Sequence, residues 1–222
     1  MRIWTGNPRE IADRQWSRLA SSLDPTEARR AGRFKIEADR RSYVLAHAMR
    51  RLAVARALAV TPATLVFSSA ENGKPLLLEP QGQDIFFSHS HCRDAVACVV
   101  SRQGPVGIDI EAVNDQSANL DLLERFVVLP EFVDQNLGSQ VDRSRQFWFY
   151  WTAVEAYWKA AGTGLSDDNP RICCLETSSG LFDLVVESGS TRAMPTALLI
   201  PVMAPANFTI ALVIMNSIAA AP

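Results

Sequence analysis

Histidine and cysteine are scarce in this chain, and no apolar run is long. Four cysteines occur in 222 residues without C-x-x-C spacing, and two of them, Cys173 and Cys174, are adjacent. Such spacing gives no disulfide framework, so all four are expected to be reduced and mostly buried. The three histidines are His47, His89 and His91. A zinc site built on the close pair His89 and His91 lacks further ligands, because His47 falls in an apolar helical stretch and reads as a core residue. From Ala193 to Pro222 there is no charged residue, yet Pro195, Pro201, Pro205 and Asn207 divide the segment. Its longest mostly apolar run, Phe208 to Met215, has strand length, far short of the roughly 20 residues of a membrane span. The opening Met1 to Arg9 lacks the apolar core of a signal peptide. A cytoplasmic protein with no membrane association is the expectation.

With 48% hydrophobic and 21% charged residues, the chain can bury a sizeable core as one large or two small domains. The net charge of −2 hides an uneven distribution. Residues 1–60 carry 13 Arg or Lys against 6 Asp or Glu, a net of +7, and the remainder carries 9 against 18, a net of −9. A basic front and an acidic back suit a polyanion whose phosphates are bridged by a metal. The basic residues punctuate a helix and are not interleaved with aromatics, which argues against nucleic acid as the partner.

Two blocks carry chemistry. Trp151-Thr152-Ala153-Val154-Glu155-Ala156-Tyr157-Trp158-Lys159-Ala160-Ala161-Gly162-Thr163-Gly164-Leu165 reads as a helix stopped by glycines. Trp151, Glu155 and Lys159 recur every four residues and so share one face. Gly162 stands where a helix takes its left-handed cap. Taken alone, the acid–base pair fits a solvated helix face as well as it fits a site. Upstream, Gly107-Ile108-Asp109-Ile110-Glu111 alternates, placing both carboxylates on one face of a strand and both isoleucines on the other. Carboxylates side by side need a cation between them, and an all-oxygen set suits Mg²⁺, or Mn²⁺, better than zinc. The solvated outer face of an amphipathic strand is the competing reading.

Together the blocks resemble the 4′-phosphopantetheinyl transferases, specifically the large pseudo-dimeric Sfp/Gsp type that activates peptide and polyketide synthetases. The resemblance rests on G-[IV]-D-[IV]-E followed by W-[ST]-x-x-E-A-x-x-K-x-x-G-x-G-L, both complete here. It is extended by Gly73-Lys74-Pro75, by Phe87-Ser88-His89-Ser90-His91, and by Arg125-Phe126 followed by Pro130-Glu131. It spans roughly residues 30 to 165.

The resemblance implies transfer of the 4′-phosphopantetheine group of coenzyme A to a serine of an apo acyl, peptidyl or polyketide carrier protein, with Mg²⁺ as cofactor and 3′,5′-ADP as by-product. It implies Asp109, Glu111 and Glu155 as metal ligands, Glu155 also as base, and Lys159 at the departing phosphate. Ser90 and His91 follow from the Phe-x-x-Ser-His frame as phosphate contacts. Shifting the frame to Ser88 and His89 puts Ile85 at the aromatic position. Lys74 and Pro75 would edge the nucleotide pocket. Arg41, helped by Arg33 or Lys35, would hold the 3′-phosphate, with Arg40 one register step away. A carrier-docking surface is expected around residues 112–140, and a monomer is the default. Two other readings stand beside this one: a different Mg²⁺-dependent nucleotide or phosphoryl enzyme, and a carrier-binding homologue without chemistry. The intact Asp109, Glu111, Glu155 and Lys159 count against the last.

The element pattern is α+β. A first helix is announced by Asp24-Pro25-Thr26-Glu27, with a cap, a first-turn proline and an N3 glutamate, and Gly32 interrupts it. A longer helix is expected from Glu37 to Ala59, with Leu45, Met49, Leu52 and Ala53 toward the core. Strands follow near 65–67 and 85–100. Helical segments are expected at 119–137 and 144–161, and strands near 171–176, 181–187 and 207–215. A hinge at Gln103-Gly104-Pro105 gives subdomains 1–104, on the nucleotide side, and 105–222, with the metal and catalytic residues. By resemblance they are two similar α+β subdomains in pseudo-twofold arrangement, each a small, mostly antiparallel sheet packed on a long helix.

Overall fold

The computed structural model describes residues 1–114, 119–128, 140–187, 196–205 and 207–216, with only the backbone of 140–142. The chain forms two compact units, Met1–Gln103 and Gly104–Pro222. Each is a sheet packed on a helix of 22 residues, an α+β architecture.

The first unit runs β1 (Arg2–Gly6), α1 (Asp13–Ala20), α2 (Pro25–Ala31), α3 (Glu37–Leu58), β2 (Val66–Ser69), β3 (Pro75–Glu79), β4 (Phe86–Cys92) and β5 (Ala95–Ser101). The order β1-β5-β4 makes a three-stranded antiparallel sheet, and β2 and β3 form a separate hairpin. α2 begins as its sequence requires. Asp24 accepts from the backbone N–H groups of Thr26 and Glu27, and Glu27 returns a bond to the Asp24 N–H. This capping box satisfies donors that a helix start otherwise leaves open. The helix at Asp13–Ala20 precedes the one read as first. It is short and polar, with no buried residue, and Ala12 caps it without a side-chain acceptor, so it carries few of the usual start signals. α3 ends on Ala59 in the left-handed conformation, φ 57°. Leu45 and Ala53 are buried and Met49 packs against the core, but Leu52 is 45% exposed and faces away from it.

The second unit runs β6 (Val106–Ala112), α4 (Leu120–Leu123), β7 (Val127–Val128), α5 (Gln140–Ala161), β8 (Ile172–Glu176), β9 (Phe182–Val186), β10 (Ala197–Val202) and β11 (Phe208–Met215). Its sheet is ordered β6-β11-β10-β9-β8-β7, antiparallel except where β7 meets β8. Of the helix expected over 119–137, the described residues 119–128 hold only the single turn α4 and then β7, and 129–137 lie outside the described residues. Phe126 accepts a bond from the Ile172 N–H at 2.9 Å, and the β-branched Val127 and Val128 pair with Ile172 and Cys173. Pro130, Glu131 and much of the expected docking surface at 112–140 lie outside the described residues. β11 takes the uncharged Phe208–Met215 run as a buried central strand. No described helix is long and apolar enough to cross a membrane. The four cysteines are free, with Cys98 and Cys174 buried and Cys92 and Cys173 half-buried.

Candidate active site

In the second unit the alternation of β6 does what the sequence required. Ile108 and Ile110 are 0% and 1% exposed on one face, while Gly107, Asp109 and Glu111 share the other. Gly107 marks where α5 crosses. A Cβ built there would stand 1.9 Å from the Ala156 carbonyl oxygen and 2.6 Å from the Ala160 nitrogen. Only glycine lets the helix backbone come this close, and that contact sets α5 over the acidic face of β6.

Glu155 and Lys159 lie one turn apart on α5. The Lys159 Nζ donates to Asp109 Oδ1 at 2.5 Å and stands 3.9 Å from Glu155 Oε2. Asp109 is 1% exposed, so this ion pair is buried on one side. Burial works against the lysine charge, yet Asp109, Glu155 and Glu111 together hold its pKa above the ordinary lysine value. The carboxylates respond in the opposite sense. Burial, with the Asp109 charge added, pushes Glu111 up to about 7. Burial and Asp109 also raise Glu155 against the pull of Lys159. Beyond the pair, Gly162 and Gly164 take φ of 85° and 74°, and both donate to the Trp158 carbonyl, closing the helix. Trp151 packs against Phe126 and Phe147, and the Thr152 hydroxyl bonds back to the Trp148 and Phe149 carbonyls.

The donor chemistry fits a hard divalent cation: three carboxylates, two with their charge disfavoured by burial and by one another. In this arrangement the Lys159 ammonium supplies the positive charge. Among the described residues no three His, Cys, Asp or Glu side chains converge as a ready coordination shell.

In the first unit, His89 and His91 share one face of β4, toward α3. The His89 ring meets His47 at 5.2 Å, and the His91 ring meets Tyr43 at 6.4 Å, both edge-on. His91 is the exposed member and His89 is half-buried. Ser90 is buried and, as a strand neighbour, faces the opposite side from His91. Lys74 is half-buried in the β2–β3 turn, where burial lowers its pKa, and its N–H bonds Asn72 Oδ1. Pro75 opens β3.

A cleft of about 580 Å³ lies beside this face, lined by Thr26, Arg29, Arg30, Arg33 and Phe34. Arg33 is therefore in the cleft. Arg41 is instead paired with Glu37 at 3.0 Å and Asp13 at 3.2 Å and lies over the Trp16 ring. Arg40 is also paired with Glu37. Arg29 and Arg30 are the residues the sequence reading passed over. Their signal is the i, i+1, i+4 spacing with Arg33 across the end of α2, which only the turn at Gly32 converts into one concave surface.

Beneath the cleft sits a buried charge cluster. Glu27 accepts from Arg51 Nε at 2.6 Å, from His47 Nδ1 at 3.0 Å and from Arg50 Nη2. Arg51 also reaches Asp24 at 2.6 Å and the Leu65 carbonyl at 3.0 Å. Burial alone would raise the Glu27 carboxyl, but these donors, the Asp24 N–H and the Arg50 charge bring it to about 2. Burial lowers the pKa of His47, which serves this cluster as the core histidine its apolar helix suggested.

The comparisons with known proteins agree across both units. Residues 8–103 match the family described as 4′-phosphopantetheinyl transferase, N-terminal, and residues 105–212 match the 4′-phosphopantetheinyl transferase superfamily. The chain is 31% identical over 162 residues to the 4′-phosphopantetheinyl transferase HetI of Nostoc sp., covering 72% of this chain and 68% of that protein. It is 30% identical over 160 residues to a phosphopantetheinyl transferase of Thraustochytrium sp., covering 67% of this chain and 56% of the other. A 4′-phosphopantetheinyl transferase of Bacillus subtilis is 27% identical over 158 residues, covering 71% and 68%. With two adjoining domain matches and relatives of this similarity, the chain belongs to the 4′-phosphopantetheinyl transferase superfamily, a family of transferase enzymes.

Proposed function

We propose that this protein moves the 4′-phosphopantetheine group of coenzyme A onto a serine hydroxyl of an apo carrier protein and releases 3′,5′-ADP. The observation that carries the reading is the half-buried acid–base set of β6 and α5, in which Lys159 bridges Glu155 and the buried Asp109 beside Glu111. Asp109, Glu111 and Glu155 would hold Mg²⁺. Such an ion supplies charge neutralisation at a pyrophosphate. Glu155, its pKa raised above that of an ordinary carboxyl, is poised to take the serine proton as the hydroxyl oxygen attacks phosphorus. The new bond joins that oxygen to the phosphorus carrying pantetheine, and the bond to the bridging pyrophosphate oxygen breaks. Lys159, released from Asp109, stabilises or protonates the departing phosphate. On the nucleotide side, Arg30 and Arg33 of the cleft and the exposed His91 offer donors to phosphate oxygens, and Lys74 lies at the β2–β3 turn.

The test is intact-mass spectrometry of apo acyl and peptidyl carrier proteins after incubation with this protein, coenzyme A and Mg²⁺, with EDTA as control. The expected outcome is a metal-dependent gain of one phosphopantetheine. No gain on any carrier, from folded protein that still binds coenzyme A, would overturn the reading.

A further inference from the structure

The cleft arginines and His91 come from different elements, yet they meet on a single ring. Tyr43, on α3, is 3% exposed. The Arg30 guanidinium lies 5.7 Å from its centroid, and His91 meets it edge-on at 6.4 Å. Phe34, which lines the cleft with Arg30, packs against the same ring at 5.2 Å. Tyr43 is held in turn by His47, whose ring lies 4.0 Å away and whose Nδ1 is bonded to Glu27. Glu27 is itself fixed by Arg50 and Arg51.

From this juxtaposition we infer that Tyr43 is a positioning residue for anion recognition, fixing the Arg30 guanidinium and the His91 imidazole at a set separation before ligand arrives. The inference rests on the proposed reading, taken here in the form that the cleft and His91 hold the 3′-phosphate of coenzyme A.

The physical reason is preorganisation. Arg30 and His91 are both exposed, so each must give up rotamer freedom to hold a phosphate. A guanidinium drawn to the negative face of a buried ring has already given up much of it. An imidazole against the edge of the same ring is limited in the same way. The hydroxyl plays no part in either contact, so the ring is what matters. His47, held by Glu27, packs against the same ring at 4.0 Å.

The test is equilibrium binding of coenzyme A and of 3′-dephospho-coenzyme A to the full chain, without carrier protein. Tyr43→Leu is expected to raise the Kd for coenzyme A about three- to fivefold, the loss expected of one exposed cation–π contact. It should move the Kd for the dephosphorylated ligand much less, and Tyr43→Phe should restore the wild-type preference. Arg30→Gln should cost less in the Tyr43→Leu background than in the wild type. Equal loss of both ligands in Tyr43→Leu, while the losses in Arg30→Gln and His91→Gln fall on coenzyme A and spare the dephosphorylated ligand, would overturn the role of Tyr43 and leave the cleft assignment standing. A wild type that binds both ligands equally would overturn the cleft assignment, and the inference with it. Should Tyr43→Leu not fold, His91 imidazole resonances in the ligand-free protein decide. Arg30→Gln should shift them through the shared ring, and no shift refutes the coupling.

Discussion

Replacing Gly107 by alanine adds one methyl group where the structure has no room. The new Cβ would sit 1.9 Å from the Ala156 oxygen, 2.9 Å from the Ala156 carbonyl carbon and 2.6 Å from the Ala160 nitrogen. All three are backbone atoms, so no rotamer change relieves the clash. α5 must lift from β6 by roughly an ångström, and overpacking of this kind costs about 3 kcal/mol. Against a total stability of about 5–15 kcal/mol, that lowers the Tm by roughly 10 °C. The same movement draws Lys159 from Asp109, now 2.5 Å apart, so transfer activity should fall together with stability. Gly180 provides the control, because its φ is 73° and a Cβ there meets nothing within 4 Å. Gly180→Ala should cost only the left-handed conformation, about 1 kcal/mol. Urea titration and thermal melts of both variants measure the difference. Equal costs for the two, or a Gly107→Ala variant with wild-type stability, would refute the argument that this glycine sets the helix height.

Three further outcomes follow from the charges. Glu27 has its pKa lowered to about 2 from 4.5 by the donors around it, so its stabilisation is complete above about pH 5 and drains away as pH falls toward 2. A shift of that size corresponds to about 3 kcal/mol, so Glu27→Gln should flatten the acid limb of the unfolding curve and destabilise the protein at neutral pH; an unchanged acid limb would count against it. Lys159→Met leaves Asp109 without its buried counter-ion and should destabilise the protein more at pH 8 than at pH 5, because acid neutralises Glu111, which stands near 7; denaturant unfolding at the two pH values giving equal penalties would refute this. Glu155→Ala should abolish phosphopantetheine transfer while carrier binding persists, a pair of properties separable by mass spectrometry and a pull-down with purified carrier; retained transfer would remove Glu155 from the chemistry.

What was legible in the sequence was local. The alternation at Gly107 to Glu111 gave the strand and its acidic face, and the fourfold spacing of Glu155 and Lys159 gave one side of a helix. Periodicity does not reveal that Lys159 crosses to Asp109, because that contact joins residues fifty apart. Glu27 shows the same boundary. Its N3 position announced a capping box, which formed, but its service to Arg50 and Arg51 on α3 depends on helix packing. Arg41 came from the resemblance alone, and the sequence does not show that Glu37 and Asp13 pair with it or that Arg30 lines a cleft after α2. The helix expected over 119–137 failed at Phe126 to Val128, where pairing with β8 outweighed local preference.

The Lys159–Asp109 pair has a consequence for assembly. An acidic face buried against a helix would ordinarily resist closure until a cation arrived. Here the helix brings its own, so α5 and β6 can dock with their charges already balanced. On the proposed reading, maturation of the fold would not wait for the metal. A chelator should silence the enzyme and leave it folded, lowering its melting temperature by no more than the metal's own binding contributes.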